Sequence, residues 1–111
     1  MLAAQLSPVE LARQYVKDNN YNSAIIEYKR YLFFNNSLDN FDILKELFNV
    51  YHTIGDWTNA LITLESVYVL IDDNFIKDRM LIDKGIILIS KGDLQRAEML
   101  FLRLLMSSHH E

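Results

Sequence analysis

The sequence predicts an all-α fold, a solenoid of three helix-turn-helix repeats built from six antiparallel helices. Three observations predict it. A short pattern of a turn followed by a helix start occurs three times: Asn19-Asn20-Tyr21-Asn22-Ser23-Ala24, Gly55-Asp56-Trp57-Thr58-Asn59-Ala60 and Gly92-Asp93-Leu94-Gln95-Arg96-Ala97. The three alanines stand 36 and 37 residues apart, a period that belongs to stacked helix pairs. The offsets inside each copy are constant. Tyr15, Tyr51 and Leu88 lie nine residues before their alanine, and Asn19, Gly55 and Gly92 five before it. The difference in repeat length therefore falls in the loops after the second and fourth helices, where a solenoid absorbs insertions.

The elements follow in order. Ser7-Pro8-Val9-Glu10 starts the first helix: Ser7 caps, Pro8 suits the first helical position, and Glu10 reaches back as a capping box. Leu11, Ala12, Tyr15 and Val16 then share one face at helical spacing, and the helix ends near Asn19. The second helix runs from about 21 to 34 with Ala24, Ile25, Tyr28, Tyr31 and Leu32 inward, and Asn35-Asn36-Ser37 breaks it. Asp39 or Asn40 caps the third, whose stripe is Leu44, Leu47, Phe48 and Tyr51, and Gly55 stops it. The fourth is expected over 57–71, with Ala60, Leu61, Leu64, Val67, Tyr68 and Ile71 inward. After Asp72-Asp73-Asn74 comes the fifth, about 75–90, stopped by Gly92, and then the sixth, from 94 to about 107. Each alanine is expected where the two helices of a repeat cross most closely, because a larger side chain would wedge them apart.

Composition narrows the function classes. At 111 residues, half of them hydrophobic, the chain is long enough for one packed domain, expected to span 1–111 with repeats at about 5–38, 41–74 and 78–111. A net charge of -4 argues against nucleic acid as the partner. With no cysteine there is no disulfide and no thiolate site. The apolar runs are too short to span a membrane, being broken by Glu65 and Arg103. The opening five residues lack the basic start of a signal peptide, so the compartment stays open: cytoplasmic, or bacterial periplasmic if a signal or lipid anchor has been removed.

No His-Glu-x-x-His, glycine-rich phosphate loop or Gly-x-Ser-x-Gly is present, so neither metal nor cofactor is expected, and an enzyme is not expected either. Asp56 and Asp72-Asp73 read as turn and cap residues. His52 reads as a helix C-terminal histidine, His109-His110-Glu111 as a tail, and Asn35-Asn36-Ser37 as a chance match to a glycosylation acceptor.

The repeats resemble tetratricopeptide repeats. The turn-and-alanine core carries the resemblance, together with Tyr28, Leu64 and Phe101 four residues after the alanines and Ala12, Phe48 and Gly85 at the small position of each first helix. The chain departs from the pattern at Tyr31, Val67 and Leu104, where the family prefers alanine, at the oversized Phe48, and in having Asn36, Asp72 and His109 where a proline usually ends the repeat. Those departures imply looser or re-angled helix packing, not a different fold. The resemblance implies a right-handed superhelix and a non-enzymatic role, as an adaptor or assembly subunit that binds a partner protein or peptide on a concave face lined by the first helices. An envelope-assembly subunit and a helical domain associated with an enzyme are the alternatives.

Carried over by position, the lining is Arg13, Lys17, Lys45, Asn49, His52, Arg79 and Ile86, joined by Leu6, Val9, Val16, Asp42, Thr53, Ile82, Asp83 and Ile89. The family's carboxylate clamp falls on Val9, Arg13, Glu46, Arg79 and Asp83, where Glu46 and Asp83 would repel a carboxylate. The basic tilt of Arg13, Lys17, Lys45 and Arg79 instead points to an acidic or backbone-presenting segment.

The sixth helix is apolar nearly all round. With Ala97, Phe101, Leu104 and Leu105 facing inward, Met99, Leu100, Leu102 and Met106 are left over, and with no polar capping helix after them they are expected to form a surface for homo-oligomerisation.

Overall fold

Among the described residues three take the left-handed backbone that ends a helix: Asn19 at φ 58°, Gly55 at 77° and Gly92 at 90°. They are the three turn positions of the repeated pattern. In two of the turns the closing hydrogen bond has the same form, with Asn20 N–H donating to Tyr15 C=O and Asp93 N–H to Leu88 C=O, both at 2.8 Å. These are the six-to-one bonds that satisfy the orphan carbonyls of a helix end.

The computed structural model describes residues 6–35 and 40–107. Among them the chain forms six α-helices and no strand: α1 (Pro8–Lys17), α2 (Tyr21–Phe34), α3 (Phe41–Ile54), α4 (Trp57–Tyr68), α5 (Asn74–Lys91) and α6 (Leu94–Ser107). The capping box at α1 is complete: Glu10 N–H donates to Ser7 Oγ and Ser7 N–H to Glu10 Oε1. Asn40 precedes α3 without capping it. Its side-chain amide donates to Asn35 C=O instead. The alternative cap Asp39, the break at Asn36-Ser37 and the tail His109-His110-Glu111 lie outside the described residues.

One boundary differs from expectation. α4 ends at Tyr68, three residues before the expected Ile71. Leu70 N–H bonds Val67 C=O and Ile71 N–H bonds Tyr68 C=O, so the chain tightens into three-residue turns while its apolar spacing continues.

The contacts divide the chain into two compact units, Met1–Gly55 and Asp56–Glu111. The second expected repeat, 41–74, thus contributes α3 to one unit and α4 to the other.

In the first unit α2 packs against both α1 and α3. Ala12 and Ala24 have no exposed surface, Tyr28 is buried beside them in α2, and α3 buries Ile43, Leu47, Phe48, Val50 and Tyr51. Ile43 and Val50 widen the expected α3 stripe.

In the second unit α5 packs against α4 and α6. Ala60 and Ala97, exposed by 0% and 2%, are as deeply buried as Ala24. Val67 and Ile87 are fully buried, each such side chain contributing about 1.5–3 kcal/mol relative to exposure. Leu88, Ala97 and Leu100 form a core to which Leu61, Leu81, Phe101 and Leu104 add their flanks. Gly85 sits against the tip of the Phe101 ring, at its Cζ and Cε atoms. A β-carbon built there would meet ring atoms, two of them at 2.7 and 2.9 Å.

Candidate functional site

In the first unit a three-residue network joins all three helices. Arg13 on α1 donates from Nε and Nη2 to the two carboxylate oxygens of Glu46 on α3, at 2.9 and 2.7 Å. The hydroxyl of Tyr28 on α2 donates to the same Glu46 Oε1 at 2.8 Å. The hydrogen bonds from Arg13 hold the Glu46 carboxyl below the usual carboxylate range against the opposing push of burial, and Tyr28 adds to the lowering. Burial raises the Tyr28 hydroxyl above its ordinary value of 10, and its bond to Glu46 adds to that.

This network corrects one expectation. Arg13 is not an unpaired cation held out for a ligand, because Glu46 takes its Nε and Nη2 donors. The basic tilt expected of this face shrinks to Lys17 and Lys45 against Asp42.

Beside the network lies a hollow of about 440 Å³ whose lining includes Arg13, Lys17, Glu46, Asn49 and Thr53. It gathers five of the expected lining residues, Arg13, Val16, Lys17, Asn49 and Thr53. Lys45 and His52 are not part of it. The Lys45 ammonium lies 5.7 Å from the centre of the Phe41 ring, and the His52 ring lies 5.9 Å from that of Phe48.

In the second unit the expected lining residues of α5 all reach solvent. Ile82, Ile86 and Ile89 are exposed by 42%, 46% and 48%, and Arg79 and Asp83 are exposed beside them. The structure adds Phe75, which sequence reasoning missed and which is also well exposed. Phe75, Arg79, Ile82, Ile86 and Ile89 follow a 4-3-4-3 spacing, the seam of a coiled-coil helix. A heptad count along the fifth helix would have found Phe75. The opposite side of α5 carries the buried residues Met80, Ile87 and Leu88, while buried Gly85 lies on the same flank as Asp78.

Also missed was a groove of about 630 Å³ formed by α4, α5 and α6, with Leu64, Met80, Leu81 and Leu104 among its apolar lining and Lys84 and Arg103 among its charged lining. Its residues are scattered over 64–107, and no local pattern announces it.

On α6 one of the expected surface residues is corrected. Leu100 is buried, 8% exposed, while Leu105, expected inside, is 57% exposed. Met99, Leu102 and Met106 are exposed. The phase of α6 is set by Phe101 lying on Gly85, which turns Leu100 toward Leu88.

Among the described residues no three His, Asp or Glu side chains lie close enough together to hold a metal ion. No helix among them is long and apolar enough to cross a membrane. Compared with models of protein families and with curated proteins, the chain matches none.

Proposed function

We propose that this chain is a non-enzymatic protein-interaction module, an adaptor or assembly subunit built as a tetratricopeptide-like solenoid. Support for the repeats comes from the three left-handed turns in register, the three buried alanines and the small residue Gly85 facing Phe101. The observation that carries the function is the exposed seam of Ile82, Ile86 and Ile89 on α5. Single exposed apolar residues are ordinary on a protein surface, but an aligned row on one helix face fits a partner's side chains.

Affinity capture with the tagged chain tests this reading. Proteins held by the parent chain should be lost from Ile82→Glu and Ile86→Glu variants whose circular dichroism is unchanged. An identical captured set would move the interface off α5.

A separate observation favours self-association as well. Met99, Leu102 and Met106 lie at i, i+3 and i+7 on the outer side of α6 and are all exposed. A second copy of the chain is the proposed occupant of that row.

A further inference from the structure

The charges beside the α5 seam say which partner it suits. α5 has four cations and two acids. Two of the cations are engaged with α4: the Lys77 ammonium lies 5.1 Å over the Tyr68 ring, and Lys84 pairs with Glu65 at 3.6 Å. By the 100° step of an α-helix, Lys91 falls well away from the seam and Arg79 falls within it. Asp78 and Asp83 flank the seam, one on each side. Neither has an ion-pair or hydrogen-bond partner among the described residues. Asp78 immediately precedes the seam residue Arg79 and Asp83 immediately follows Ile82. These are the flanking positions whose charges choose the partner of a coiled-coil helix.

The same positions disfavour a parallel pairing with a second α5. Side by side and parallel, Asp78 of one helix would meet Asp83 of the other, which sets like charges together at the edge of an apolar contact and is destabilising.

We infer that the α5 seam receives an amphipathic helix of another protein, with apolar residues at heptad spacing and lysine or arginine on both flanks. This rests on the interaction reading above and names the partner's chemistry. Ile82, Ile86 and Ile89 take the apolar row, and Asp78 and Asp83 take the basic flanks. Arg79 interrupts the row with a cation. Its aliphatic stem can lie along the contact with the guanidinium turned to the edge, where an acidic or amide side chain of the partner fixes the register. The basic flank is the reverse of the acidic ligand that Arg13 and its neighbours suggested, because Arg13 is held by Glu46.

The test uses the full chain and fluorescently labelled synthetic helices of three heptads. One has leucine along the seam and lysine on both flanks, a second has glutamate on the flanks, and a third has the composition of the first in scrambled order. Like-charged flanks keep each peptide from pairing with itself. Anisotropy titrations should show the lysine-flanked peptide binding at least about tenfold more tightly than the other two, with affinity falling as salt rises. Ile86→Glu should weaken it about tenfold although it adds negative charge, which separates docking on the seam from general attraction to an acidic protein. Asp78→Lys with Asp83→Lys should turn the preference toward the glutamate-flanked peptide.

If the glutamate-flanked peptide binds the unaltered chain as well as the lysine-flanked one and Ile86→Glu abolishes both, the basic-partner inference is overturned while the seam remains a docking site. If the scrambled peptide binds equally, or Ile86→Glu changes nothing, the docking of a helix here is overturned too. Absence of binding by all three also overturns the inference, and the capture experiment then decides the wider reading by itself.

Discussion

At position 85 two energies of similar size oppose each other. A glycine inside an exposed helix costs about 1 kcal/mol relative to alanine. Here the missing β-carbon is what lets the Phe101 ring lie on the α5 backbone. Gly85→Ala would recover the helical propensity but drive a methyl group into the ring, and overpacking of that kind costs about 1–3 kcal/mol. Phe101 is only partly enclosed and can shift, which keeps the cost to about 2 kcal/mol, short of the top of that range. The expected net effect is a loss of about 1 kcal/mol, read from urea midpoints at constant slope. In a Phe101→Leu background the same substitution should become neutral or stabilising. If Gly85→Ala has the same sign in both backgrounds, the ring contact is not what constrains position 85.

α1, α2 and α3 are tied by one carboxylate, and that makes the packing of the first unit sensitive to acid. The folded state holds Glu46 below its ordinary value, so its contribution is present above the usual carboxylate range and is lost as pH falls through the lowered value. Arg13 is half exposed and solvent screens the pair, so the contribution is about 1 kcal/mol, not the several expected of a sealed ion pair. Unfolding midpoints followed from neutral to acid pH should fall less steeply in Glu46→Gln than in the parent. Parallel curves would mean that the bridge contributes no stability.

The same helices show what sequence could and could not reveal. The turns at Asn19, Gly55 and Gly92 were legible because a left-handed residue after a helix demands glycine or asparagine, a purely local requirement. The pairing of Arg13 with Glu46 was not legible, since the two are 33 residues apart and meet only through helix packing. The rotation of α6 was equally hidden. A helix apolar on every side has no preferred face until a particular contact, here Phe101 on Gly85, chooses one. The end of α4 escaped for a related reason: the apolar spacing runs on through Ile71 while the backbone has already tightened.

For the molecule as a whole, the exposed row on α6 is the proposed surface for self-association. Met99, Leu102 and Met106 should associate with their counterparts on a second copy, and Leu102→Glu should place a charge in the middle of that contact. Light scattering on a sizing column at micromolar concentration is expected to show a dimer for the parent and a monomer for the variant. A parent chain that stays monomeric, or a variant that still pairs, removes α6 as the association surface.

The division at Gly55 also gives the protein two built-in optical reporters. Its only tryptophan, Trp57, opens α4 in the second unit, while five of its six tyrosines (Tyr15, Tyr21, Tyr28, Tyr31 and Tyr51) belong to the first. Light absorbed by tryptophan alone therefore follows the surroundings of α4, and the near-ultraviolet absorbance of tyrosine is weighted toward α1–α3. The two halves can be watched separately in one unlabelled sample, and whether they melt together or in turn becomes a matter of comparing two wavelengths.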